Sequence, residues 1–301
     1  MRSDREVRLR IDRSRRFFLA GLAATCAPVW AVGADPLQAA GDRIAAIEAR
    51  AGGRLGVAAL ETASGRRLAH RADERFPMCS TFKVLAAAAT LKRVEAGNER
   101  LDRKIPYAQA DLLDYAPVTK AHLAEGAMSV ADLCAAAIDW SDNTAANLLL
   151  RALGGPAELT RYIRSIGDPL TRLDRNEPSL NEATPGDPRD TTTPSAMADD
   201  LNRLLLGSEL TDASRRQLEA WMIGDKVGDK RLRAGLPHDW VVGDKTGSGD
   251  RGTANVVAII RPPGRAPILA TVYYTESSGT MDDRNAVCRD VGVVIGEAFD
   301  G

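Results

Sequence analysis

The 301-residue chain lacks the marks of a charged partner, a disulfide scaffold or a metal site. Its 40 Lys and Arg against 41 Asp and Glu leave a formal net charge of -1. That balance gives no electrostatic reason to expect nucleic acid or a membrane surface as partner. Cysteine is scarce: beyond Cys26 in the N-terminal segment there are only Cys79, Cys134 and Cys288. An odd number sets no disulfide framework, and both three buried thiols and one bridge plus a free thiol remain open. The histidines His70, His122 and His238 lie far apart without ligand spacing, so neither a metal nor a cofactor is expected. There are no internal repeats and no low-complexity tracts. The one long apolar run, Phe17 to Val32, is interrupted by Gly21, Thr25 and Pro28, and it is too short for a secure membrane span.

What is present begins with that N-terminus. Arg2, Arg5, Arg8, Arg10, Arg13, Arg15 and Arg16 precede the apolar run, and small residues follow at Gly33 and Ala34. This is the pattern of a removable export signal spanning 1–34. Ser14-Arg15-Arg16-Phe17-Phe18-Leu19 resembles a twin-arginine signal, which implies a periplasmic or secreted bacterial protein. The remainder is 44% hydrophobic over the whole composition and 27% charged, ordinary for a soluble globular chain. It is long enough for one large domain or two intimately packed ones.

Periodicity predicts a helix over 35–51, stopped by Gly52-Gly53, then a hairpin of Leu55 to Glu61 and Arg67 to His70. The Ala- and Leu-rich run from Ser80 to Glu95 is a strong helix former, ending at Gly97. Further helices are predicted over 129–140, 144–153, 156–166, 194–206 and 212–222. Strands return at 240–245, 254–261 and 268–275, and a last helix runs from Met281 to Phe299. Between Gly167 and Thr193 the composition turns to Pro, Asp, Asn, Arg and Thr. A loop of that length is usually functional or disordered, and its opposite charges argue for order. The expected fold is α+β: an antiparallel sheet flanked by helices, built from 35–75 and 224–301, with an all-α domain inserted over 76–223. A cleft at such a junction is a usual place for an active site.

Four short motifs fall along this frame. Ser80-Thr81-Phe82-Lys83 puts a hydroxyl at a helix start, with Lys83 on the same face one turn on. The free N–H groups of that first turn favour a developing anion, and burial or nearby cations can lower the Lys83 pKa until it accepts a proton. Ser141-Asp142-Asn143 offers a second hydroxyl and an amide between two helices. Glu177-Pro178-Ser179-Leu180-Asn181 brings a carboxylate and an amide in the long loop. Lys245-Thr246-Gly247-Ser248-Gly249 continues a strand whose edge can pair with an extended substrate. Taken singly, each has a plain reading: Ser80 as a helix N-cap beside a solvated Lys83, Asp142 as another cap, Lys245 as a surface lysine at a glycine-containing strand end.

Together and in this order they resemble the active-site serine β-lactamases of class A. The likeness extends to Leu173 through Glu182, which is similar to that family's omega loop (172–190 here), and to Thr280-Met281-Asp282-Asp283-Arg284-Asn285 near the last helix. It covers essentially the whole mature chain. The resemblance implies Ser80 as nucleophile, Lys83 in proton transfer and Ser141 as relay to the β-lactam nitrogen. Glu177 and Asn181 would position and activate water. Asn143, Lys245, Thr246, Gly247 and Ser248 would hold substrate, with the N–H groups of Ser80 and Ser248 as oxyanion hole. Tyr115 would form an aromatic cleft wall, and Arg175 with Asp190 would close the loop neck. Whether Lys83 or Glu177 is the acylation base is disputed for this family, whereas Glu177 is accepted for deacylation.

Two departures matter. Many members carry a carboxylate-binding arginine at the position of Ala254, and Arg231 matches the position some use instead. Members with broad carbapenem activity often bridge the cysteine at 79 to one at 249; Gly249 leaves Cys79 without that partner, so carbapenem activity is unsupported and Cys79 reads as a buried small residue beside the nucleophile. The resemblance implies hydrolysis of penicillins and cephalosporins by a monomer, without nucleic acid or stable membrane association. The alternatives are a penicillin-binding D,D-peptidase, which would lack the Glu177 loop and stay acylated, and a non-hydrolytic β-lactam sensor.

Overall fold

The computed structural model describes residues 36–300, so the predicted export signal and Cys26 lie outside the described residues. The N-terminal helix α1 (Pro36–Ala51) leads into the hairpin β1 (Arg54–Glu61) and β2 (Arg67–His70). A short strand β3 (Phe76–Pro77) and a 3-10 turn (Cys79–Thr81) precede α2 (Phe82–Glu95). Then come β4 (Lys104–Pro106), α3 (Pro117–Ala121), β5 (Ala127–Ser129), α4 (Val130–Asp139), α5 (Asn143–Leu153) and α6 (Pro156–Ser165). After the long loop follow β6 (Thr191–Thr192), α7 (Pro194–Leu205) and α8 (Asp212–Ile223). The chain closes with β7 (Val241–Gly249), β8 (Thr253–Arg261), β9 (Ile268–Thr275) and α9 (Met281–Phe299).

The main sheet has the order β2-β1-β9-β8-β7, every pairing antiparallel. Its strands therefore come from both ends of the chain, as the sequence predicts. β8 is buried along almost its whole length and β9 entirely, because helices cover both sheet faces, and such strands read as continuous apolar runs instead of alternating ones. Val256, Ala258, Ile260, Ala270 and Val272 meet Ile44 and Ile47 of α1 and Val291, Val294 and Ile295 of α9. Val257, Ile259, Leu269 and Tyr273 face the other way, into a core shared with α2, α4, α5, α7 and α8. β7 is an edge strand, so the stretch Lys245 to Gly249 keeps one side unpaired by the sheet.

At the middle of the second core lies α2, with every residue from Phe82 to Leu91 buried. A helix apolar all round must be buried, and Ala86 to Ala89 let its neighbours approach closely. Leu85 is fully buried, and cutting it to Ala should cost about 2–5 kcal/mol of stability. The functional consequence concerns Lys83, which this packing removes from water altogether.

Four features were not legible in the sequence. The helix predicted from Ser80 starts at Phe82, because Cys79 has a positive φ of 46° and the chain turns through a 3-10 segment first. The five-residue α3 and the two small pairings, β3 with β6 and β4 with β5, are too short to leave a periodic signal. β3–β6 matters for function: it sets Phe76 opposite Thr192 and Pro77 opposite Thr191, and Met78 N–H bonds Asp190 O at 2.9 Å. The approach to Ser80 is thereby tied to the end of the long loop. Cys79, Cys134 and Cys288 are all buried free thiols, which settles the open pairing alternatives.

Candidate active site

Ser80 sits in the 3-10 turn, 6% exposed, where no side chain caps α2. Its hydroxyl is therefore free of the N-cap role and donates instead to Glu177 Oε1 at 3.2 Å. The same oxygen accepts from Lys83 Nζ at 3.1 Å. Lys83 also donates to Ser141 O at 2.8 Å, Asn143 Oδ1 at 2.7 Å and Ser141 Oγ at 3.3 Å. Burial lowers its pKa, and the Glu177 carboxylate works against that shift. A buried ion pair survives only when further hydrogen bonds complete both partners, and here they do.

Glu177 is 4% exposed, and its second oxygen accepts from Asn181 Nδ2 at 2.5 Å. Its main chain is clamped from α5: Asn147 Nδ2 donates to Glu177 O at 2.9 Å, and Glu177 N–H donates to Asn147 Oδ1 at 2.9 Å. Asn147 was missed in the sequence. Its signal was available, since it stands four residues after Asn143 on the same helical face. The loop neck closes as expected, with Asp190 accepting from Arg175 Nε and from the N–H groups of Asp174 (2.7 Å) and Arg175 (2.9 Å). Arg175 also pairs with Glu182.

The Ser141-Asp142-Asn143 motif divides its labour. Asp142 is a structural cap, accepting from Ala145 N–H at 2.8 Å, Val118 N–H at 3.0 Å and Thr119 N–H at 2.9 Å. The plain reading holds for that residue. Its neighbours face the cleft, and Ser141 does so from a strained backbone at φ 56°, a conformation that costs a non-glycine residue about 1–3 kcal/mol.

Opposite them runs β7. Gly247 is required there because a Cβ would come within 2.8 Å of Met78 O, the carbonyl two residues before Ser80. Gly249 is likewise pressed against Cys79 Sγ and Asn181 O. Lys245 is fully buried and bonds only Thr246 O, at 2.8 Å. Burial pushes its pKa down to about 7. Arg231, 5% exposed, donates to Gly247 O (2.7 Å), Asn255 O (2.6 Å), Asn285 Oδ1 (3.0 Å) and Ser248 Oγ (2.7 Å). Burial lowers its pKa too. Ala254 lies opposite Ser248 in the register and is too short to reach it, so the guanidinium at Ser248 comes from Arg231. Among the described ion pairs, neither Lys245 nor Arg231 has a carboxylate.

Ser80, Tyr115, Ser141, Asn143, Asn181, Val227, Arg231, Thr246 and Ser248 line one cavity of about 320 Å³. Lys83, Glu177 and Lys245 stand behind that lining, bonded to it or adjacent to it in the chain. Tyr115 is 49% exposed and forms the rim. Val227 is a lining residue that no motif announced. Among the described residues no group of His, Cys, Asp and Glu has the arrangement to hold a metal. His70 bonds Glu48 and His122 bonds Glu125.

Comparison with known proteins gives one consistent result. The sequence signature of the beta-lactamase enzyme family matches residues 39–299. Beta-lactamase CTX-M-8 of Citrobacter amalonaticus is 48% identical over 273 residues, which cover 91% of this chain and 92% of that one. Among solved structures, an ancestral (GNCA) class A beta-lactamase is 64% identical with a TM-score of 0.85, covering 86% of this chain and 100% of that chain. The putative class A beta-lactamase PenP from Rhodopseudomonas palustris is 56% identical with a TM-score of 0.84, covering 85% and 98%.

Proposed function

We infer the mechanism from one premise: the chain belongs to the beta-lactamase enzyme family, as a class A enzyme that hydrolyses the amide bond of β-lactam antibiotics and so confers resistance to them. The substrate carboxylate takes the place that no protein acid fills, beside Lys245, Thr246, Ser248 and Arg231. Its acylamide chain extends along the free edge of β7 and meets the Asn143 amide. The lactam oxygen lies between the N–H groups of Ser80 and Ser248, where negative charge develops on attack.

Ser80 Oγ attacks the lactam carbonyl, and its proton passes to Glu177, to which it is already bonded. Lys83, with acceptors around its ammonium, orders Glu177, Ser141 and Asn143 about the reacting atoms. The C–N bond breaks as Ser141 protonates the departing nitrogen, leaving an ester on Ser80. Water held by Glu177 and Asn181 then loses a proton to Glu177 and attacks that ester. The acid is released, and the proton returns to Ser80. The observation that carries this reading is the Glu177 carboxylate: one oxygen meets nucleophile and lysine, the other is fixed by Asn181.

A chromogenic cephalosporin tests it directly. The purified mature protein should release many equivalents of product per molecule, and a burst that stops at one equivalent would return the chain to the D,D-peptidase or sensor alternatives. We further read the chain as a monomer of two packed domains, 35–75 with 224–301 and 76–223, that acts in the periplasm or outside the cell after twin-arginine export. No described helix is long and apolar enough to cross a membrane.

A further inference from the structure

A second cavity, of about 300 Å³, lies behind the long loop and is lined by the loop residues 183–189 together with Arg54, Arg75, Arg175 and the strand end Thr275-Glu276. Its charge is unusual. Four guanidinium groups, those of Arg54, Arg75, Arg175 and Arg189, face it, against two carboxylates, Asp187 and Glu276. Three of the four are paired: Arg54 with Glu74 and Glu276, Arg175 with Asp190 and Glu182, Arg189 with Asp187. Arg75 is different. It donates only to neutral oxygens, Leu170 O at 2.9 Å and Thr191 Oγ1 at 3.0 Å, and no carboxylate pairs with it among the described ion pairs.

We propose that this cavity binds a small multivalent oxyanion of the phosphate type, bridging Arg75 on the approach to the catalytic serine with Arg175 and Arg189 on the loop. Planar guanidinium forks converging on one pocket match the several acceptor oxygens of such an anion, and they bind it more strongly than isolated surface cations would. The position gives the ligand an effect. Arg175 shares the loop with Glu177, so an anion that joins Arg75 to Arg175 stiffens from behind the segment whose front carries the catalytic carboxylate. This inference stands apart from the hydrolytic mechanism and is tested without substrate.

The probe is inorganic phosphate, added to the whole enzyme in thermal unfolding, with sodium chloride at matched ionic strength as control. A saturable rise in Tm of roughly 3–5 °C at tenfold above Kd is expected. Phosphate also stabilises proteins generally by exclusion from their surfaces, so two variants separate the site from that background. Arg75→Gln keeps a donor for Leu170 O while removing the unpaired charge. Pro185→Glu adds a carboxylate at the exposed rim and touches none of the guanidinium hydrogen bonds. Loss of the saturable rise in whichever variants fold supports the site. A rise that sodium chloride reproduces, or that persists in either variant, overturns it.

Discussion

The two walls of the catalytic cleft treat charge in opposite ways. On the wall made by α2, α5 and the loop, Lys83 and Glu177 are paired, and every group around them is hydrogen-bonded to another. On the β7 wall, Lys245 and Arg231 are just as deeply buried, yet they meet only carbonyls, a hydroxyl and an amide. Burying a cation without an acid is unfavourable. The first wall is complete before substrate arrives and is therefore organised for chemistry. The second is left one anion short and is organised for recognition, because a substrate carboxylate supplies what the fold withholds.

Breaking the completed wall should have the largest effect. Glu177→Ala removes the acceptor for the Ser80 proton and the base for water, and loss of a general base costs roughly 10²–10⁴-fold. The two half-reactions should not suffer equally. Without the Glu177 carboxylate, the charge that opposes the lowering of the Lys83 pKa is gone, so Lys83 can accept the serine proton in its place. Deacylation has no such substitute. The variant should acylate slowly and then accumulate the ester, seen by intact mass as a stable adduct, and rapid return to the free mass would remove Glu177 from its assigned role.

The unpaired wall should give a smaller, selective loss. Hydrogen bonds to charged groups are worth about 1.5–3 kcal/mol, so Arg231→Ala should lower kcat/KM by roughly 10–100-fold, mainly through KM. The same change also frees Gly247 O and Asn255 O, which by itself would perturb β7. An esterified substrate separates the two causes: if the charge is what matters, wild type and variant should differ little on the ester. Equal losses on acid and ester would mean that Arg231 only supports the strand.

The contrast between the walls also explains how much of the site could be read in advance. Ser80, Lys83, Ser141, Glu177 and Lys245 were legible because their chemistry needs fixed residue types at fixed spacings. The sheet and the long helices were legible because burial imposes period or continuity. What escaped notice depends on contacts between segments distant in sequence. Asn147 is known as the clamp on Glu177 only once α5 and the loop are side by side. The plain alternatives for Lys83 and Lys245 as solvated lysines fall because of packing around α2 and β7, which no local window reports. Asp142 is the converse, a motif residue whose local reading as a cap was sufficient. The start of α2 was misplaced by two residues because the positive φ of Cys79 belongs to a close contact with Gly249, not to helix propensity.

The subtlest test uses pH. Burial holds the Lys245 pKa down to about 7, which means that the free enzyme loses this cation as pH rises through neutrality. A bound carboxylate favours the protonated form and pulls the pKa back up, so binding takes up a proton above pH 7. KM for carboxylate substrates should therefore rise several-fold between pH 7 and 9. Arg231, whose pKa is lowered from a much higher starting value, remains charged over that interval and limits the rise. Arg231→Ala should thus steepen the dependence, while an ester substrate should flatten it in both proteins. A flat KM profile for the carboxylate substrate in the variant would show that Lys245 keeps its proton throughout, and that the second wall holds a permanent pair of cations instead of one that titrates.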